Sequence, residues 1–104
     1  MLHGLSRALW EEVQFDAEKV TSVDWISHPS LRHSDTPATI DIVLVNGNPD
    51  PHRPDLAPYG AGECSHKPVV AAVANAIYDA TGVRLRRAPF RSERVLAALR
   101  SATT

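Results

Sequence analysis

The chain holds 104 residues, which is one small domain at most, and its 43% hydrophobic and 22% charged residues describe a folded piece rather than a disordered one. Eleven basic residues face twelve acidic ones for a formal charge of -1, which removes any general electrostatic reason to bind nucleic acid or an anionic membrane. A free-standing chain of this length buries only about two-thirds of the surface that its unfolded form exposes, so it gains from a neighbour.

Leu2, Leu5, Leu9 and Val13 recur at helical spacing and predict a helix from Leu2 to Val13. No capping residue or turn introduces it, as expected of a cut domain or a separately encoded portion. Lys19 to Ile26 is rich in Val, Thr and Ser and predicts a strand with Val23, Trp25 and Ser27 on one face. After a turn region holding Pro29 and Pro37, Thr39 to Val45 predicts a second strand, with Ile40, Ile42 and Leu44 facing one way and Val43 and Val45 the other. Apolar groups on both faces mark a buried, central strand.

Asn46 to Gly62 carries Pro49, Pro51, Pro54 and Pro58, which deny backbone donors and bar both helix and central strand. Connections this long are usually functional or mobile. The next helix is predicted from Ser65 to Ala80, with Ser65 as N-cap, Pro68 in the first turn and Gly82 in the left-handed position beyond the end. Val69, Val73, Ala76, Ile77 and Ala80 form its apolar stripe, and its many alanines suit a helix sandwiched between neighbours. Ser92 caps a short terminal helix with Val95, Leu96 and Leu99 on one side. Together these elements predict one α+β domain over residues 1–104, a short sheet packed by two to three helices.

The turn Gly60-Ala61-Gly62-Glu63 is where chemistry is suggested: two glycines leave the backbone free to approach a bulky group, and Glu63 is presented at that opening. Its plain alternative is a loop glutamate placed near a helix start, where negative charge suits the macrodipole. Other candidates carry structural readings beside functional ones. Arg84, Arg86, Arg87, Arg91 and Arg94 could contact phosphate or form a solvated or salt-bridged face. His28 and His33 straddle Pro29, and Cys64 and His66 flank Ser65, but neither set has the paired spacing of a closed zinc site; a Cys64–His66 nucleophile pair lacks an orienting third group. Trp10 and Trp25 read as core or interface aromatics, and Asn75 as a buried polar residue. Cys64, the one cysteine, excludes an internal disulfide. No apolar run approaches the ~20 residues of a membrane helix and no secretory signal opens the chain, which places it in the cytoplasm.

Tyr59-Gly60-Ala61-Gly62-Glu63, the run from Ala71 to Leu85, Pro89-Phe90, and Glu93 to Leu99 resemble the extreme C-terminus of molybdopterin-binding subunits of the xanthine dehydrogenase and aldehyde oxidase family. Gly4 to Val13, Val20 to Trp25 and Asp35-Thr36-Pro37 are similar to its isoquinoline 1-oxidoreductase β-subunit branch. The resemblance implies a fragment-like piece of a molybdenum-cofactor-binding domain, inactive alone. It also implies a partner subunit carrying iron–sulfur clusters, and export, where it occurs, through a partner's signal. It makes Glu63 the general base that takes a proton from a metal-bound hydroxyl attacking an electron-poor carbon of an aldehyde or N-heterocycle. Gly60, Ala61 and Gly62 then lie against the cofactor, with His3, where many relatives have glutamine, and Gly4 near it. A carboxylate enclosed in such a cavity is poorly solvated and correspondingly more basic. The second reading is a non-catalytic interaction domain or remnant that folds by oligomerising or docking to a partner. The third is a small metal module on His28, His33, Cys64 and His66.

Overall fold

The computed structural model describes residues 1–43, 50, 52–56, 60 and 62–102. Three helices carry the architecture: α1 (Leu2–Leu9), α2 (Val69–Thr81) and α3 (Ser92–Ala102), with one short 3₁₀ turn at His33–Asp35. α1 packs against α2. Gly4 makes this approach possible, because a Cβ at that position would lie 2.9 Å from the His66 carbonyl oxygen and 3.0 Å from Val69 Cγ2.

α1 stops at Leu9, short of the expected Val13, because its last turn is claimed by other partners. The Ser6 carbonyl accepts from both Trp10 N–H (2.9 Å) and Glu11 N–H (3.2 Å), while the Arg91 guanidinium captures the Trp10 carbonyl at 2.8 and 3.1 Å. Glu12 then turns toward Arg94. Phe90 N–H donates to the Ala8 carbonyl at 2.7 Å, so the segment before α3 is laced along α1. Ala8 and Phe90 are the buried apolar residues, and buried Ser6 accepts from Leu31 N–H at 2.8 Å, holding the chain after His28 against the same helix.

α2 also starts later than expected, at Val69 with Pro68 as its N-cap residue. Ser65 does not cap it; its hydroxyl accepts from the Met1 amino group at 3.3 Å. The far end agrees with expectation: Gly82 has φ 72° and its N–H closes on the Tyr78 carbonyl at 2.7 Å. α2 has no buried residue, so the sandwiched position expected from its alanines is not filled by the described residues. Asn75 is exposed rather than buried, and its Oδ1 accepts from Arg84 Nη1 at 2.7 Å.

No strand is present among the described residues; the only pairing is a single antiparallel bridge between Phe15 and Val20. The Lys19–Ile26 segment ends in a turn because Asp24 Oδ1 collects the N–H groups of Ile26 and Ser27 and the Ser27 hydroxyl. A side chain that satisfies backbone donors locally competes with a ladder. Thr39–Val43 has no neighbouring strand among the described residues, and Leu44 and Val45 lie outside them. The sheet of the expected α+β architecture is therefore not formed by the described part of this chain, since a ladder needs a second strand to take its backbone groups.

Candidate functional site

The turns over residues 62–68 connect the glycine-containing segment to α2 and carry Glu63. Two contacts fix them to α1 and a third closes the turn on itself. The Arg7 guanidinium lies 2.7 Å from His66 Nε2, the His66 carbonyl abuts Gly4, and His66 N–H donates to the Glu63 carbonyl at 3.0 Å. Arg7 is itself steadied by Glu11 one helical turn on, at 3.8 Å.

Glu63 is exposed. Among the described residues, added Cβ atoms at Gly60 and Gly62 would meet nothing within 4 Å. Gly62 and Ser65 share an open depression with His3, Ile40 and Ile42, and a neighbouring groove is lined by Leu2, Leu5, Val69 and Val73. The structure thus brings His3 and the Glu63 turn to one face. Gly4 does not open onto it; it is buried against the start of α2. Ala61 and Tyr59 lie outside the described residues.

Cys64 is exposed, its thiol 3.9 Å from the Gly60 carbonyl. Among the described residues no three His, Cys, Asp or Glu side chains come together, so His28, His33, Cys64 and His66 do not form a ligand set. The arginine cluster is largely consumed in structure. Arg84 lies over the Tyr78 ring at 4.0 Å, Arg91 holds Trp10, and Arg87 and Arg94 reach Glu12 at 3.6 and 3.0 Å. The hydrogen bond from Arg94, reinforced by the charges of Arg94, Arg87 and Arg91, holds the Glu12 carboxyl below the ordinary carboxylate value. Sequence reasoning did not find Arg7, His66 or Glu12 as a working group; the i,i+4 spacing of Arg7 and Glu11 was the available signal.

Across nearly its whole length the chain is similar to parts of molybdenum-enzyme subunits. It is 42% identical to a nicotinate dehydrogenase subunit of Pseudomonas putida over 95% of the chain, and 36% identical to the aldehyde oxidoreductase of Megalodesulfovibrio gigas over 97%. It is 34% identical to the aldehyde oxidoreductase molybdenum-binding subunit PaoC of Escherichia coli over 92%. The chain spans about a tenth of the length of these relatives, 8%, 11% and 13% in turn. No protein-family model and no solved structure matches it. Its relatives are thus oxidoreductases, and a molybdenum-binding subunit is named among them. No helix of the described residues is long and apolar enough to cross a membrane.

Proposed function

We propose that this chain forms one wall of the active site of a molybdenum-dependent oxidoreductase that hydroxylates an aldehyde or N-heterocycle with oxygen from water, and that Glu63 is its general base. The observation that carries the reading is an exposed carboxylate on a turn pinned to α1, with open space at both flanking glycines and an apolar depression beside it. Similarity to an aldehyde oxidoreductase and to a nicotinate dehydrogenase supports both substrate classes. Likeness to the isoquinoline branch rests on the residues quoted above.

The residues present fit one side of a cofactor site. Gly60 and Gly62 leave room for close approach, the His3 ring offers a donor or acceptor at the same depression, and no competing metal cluster occupies the described residues. When bound, the molybdenum cofactor supplies the oxygen-transferring, electron-accepting centre, with iron–sulfur clusters on a partner subunit draining electrons. Glu63 takes up the proton released as water-derived oxygen moves to carbon and holds it on a carboxylate oxygen. Docking of the remaining polypeptide covers the depression beside Glu63 and excludes bulk water from it. The same docking would supply a partner strand for Thr39–Val43 and so complete the α+β unit.

In the assembled enzyme, Glu63→Gln keeps the shape and removes the base. Turnover is expected to fall by about 10²-fold or more, the usual worth of a positioned acid–base group, with molybdenum content and assembly unchanged. Wild-type turnover in that variant would remove the role. An interaction domain without catalysis is the second reading, favoured by the exposure of Trp25 (82%) and Ile26 (89%); assembly with unaltered turnover in Glu63→Gln would support it.

A further inference from the structure

We infer that His66, clamped by Arg7, is the positioning residue that sets where Glu63 points; this rests on Glu63 being the base. His66 is joined to its surroundings at three separate atoms. Its ring Nε2 faces Arg7 Nη1 at 2.7 Å, its carbonyl oxygen sits where a Cβ on Gly4 would be 2.9 Å away, and its N–H donates to the Glu63 carbonyl at 3.0 Å. An arginine guanidinium only donates, so in this contact Nε2 is the acceptor.

The consequence for Glu63 is geometric. Among the described residues no heavy atom lies within 4 Å of a Cβ added at Gly60 or Gly62, whereas the downstream side of the turn is tied to named partners. The restraint comes from the downstream side, through one hydrogen bond to His66 and then, through the ring, to α1. Arg7 extends the restraint along α1 by its 3.8 Å approach to Glu11. A base must lie within hydrogen-bond reach of the proton it takes, and displacement by about 1 Å can cost up to about 10²-fold in rate. Loosening His66 should therefore lower kcat while leaving substrate binding alone.

The test uses the assembled enzyme and five variants. His66→Leu and Arg7→Met are each expected to lower kcat by about tenfold, with KM within about twofold of wild type, and to speed amide hydrogen exchange in the peptide spanning 62–68. His66→Gln, which returns an acceptor to Arg7, is expected to restore slow exchange and most of kcat. On a Glu63→Gln background His66→Leu should cost nothing further, since it acts through the residue already removed. Unchanged exchange in His66→Leu, or a Gln variant as impaired as the Leu one, would overturn the clamp. Unchanged turnover in Glu63→Gln alone would instead overturn the base, and the exchange measurement would still decide the clamp.

Discussion

At the scale of single residues, Gly4 shows how a backbone position can control chemistry elsewhere. A glycine inside a helix ordinarily costs about 1 kcal/mol relative to alanine, so α1 would gain from Gly4→Ala if nothing lay nearby. The added methyl, however, meets the His66 carbonyl at 2.9 Å and Val69 Cγ2 and Cβ at 3.0 and 3.1 Å. Backbone oxygen cannot swing aside as a side-chain tip can, and the His66 peptide is tied to Glu63 and Arg7. The net effect of Gly4→Ala is expected to be a loss of roughly 1–3 kcal/mol, the range for overpacked contacts, read as a lowered denaturation midpoint. Crystallography of the variant should show the 62–68 turn moved away from α1. A variant as stable as the parent, with the turn unmoved, would mean that α1 and the turn adjust without strain. The family resemblance implied a place for Gly4 near a cofactor; the structure gives it the task of letting two segments touch.

At the scale of elements, α1 and α3 are joined by polar groups more than by packing. Arg91 donates twice to the Trp10 carbonyl, and Arg94 reaches both oxygens of Glu12 and the Pro89 carbonyl. With the Glu12 carboxyl held below its ordinary value, chiefly by the Arg94 hydrogen bond, linkage has a definite sign. A depressed folded-state value means the stabilisation is fully present above the unfolded-state carboxylate range, about pH 4, and is lost as pH falls through the lower folded value. Asp24 and Asp16 contribute in the same direction, lowered first by backbone N–H bonds from Ser27 and from Glu18. Thermal midpoints are expected to be flat from neutral pH to about 5 and to drop below about 4, and Glu12→Gln should lessen that drop. An unaltered acid slope in Glu12→Gln would show that the clamp contributes nothing to stability. What was legible in the sequence follows the same division. The end of α2 was readable because a glycine tolerates φ 72°, and the existence of α1 because Leu2, Leu5 and Leu9 repeat at helical spacing, though the residues it buries are Gly4, Ser6 and Ala8. The end of α1 was not, since Arg91 and Arg94 reach it from more than 80 residues away. Nor was the fate of Lys19–Ile26, where the Asp24 carboxylate wins the backbone donors from any strand. For the site, the residue type at Glu63 and the open glycines were legible; the clamp of Arg7 on His66 was not, because 59 residues separate the pair.

At the scale of the whole molecule, the chain presents more surface than a self-contained protein of its mass. Its accessible area is 8701 Å², whereas a compact monomer of 11.3 kDa is expected to expose about 5,700 Å². Its radius of gyration is 18.2 Å, against about 13 Å for a compact domain of this length. The difference in area, about 3,000 Å², falls in the range of obligate interfaces. Much of the uncovered surface is apolar: Trp25 is 82% exposed, Ile26 89% and Val43 85%. Under the proposed assembly these residues leave water when further polypeptide docks, and Trp25 would report it directly. In a Trp10→Phe background the isolated chain should emit at the wavelength of a hydrated indole and be quenched freely by iodide. Assembly should shift the emission to the blue and shield it. Trp25→Ser is expected to weaken assembly by more than about tenfold, as loss of a central aromatic anchor does, while leaving the helical circular dichroism of the isolated chain unchanged. If Trp25 stays open to iodide after assembly, docking uses another face. The 22–28 turn would then be an outer surface of the enzyme, and the apolar groove between α1 and α2, beside the Glu63 turn, would be left to carry the junction.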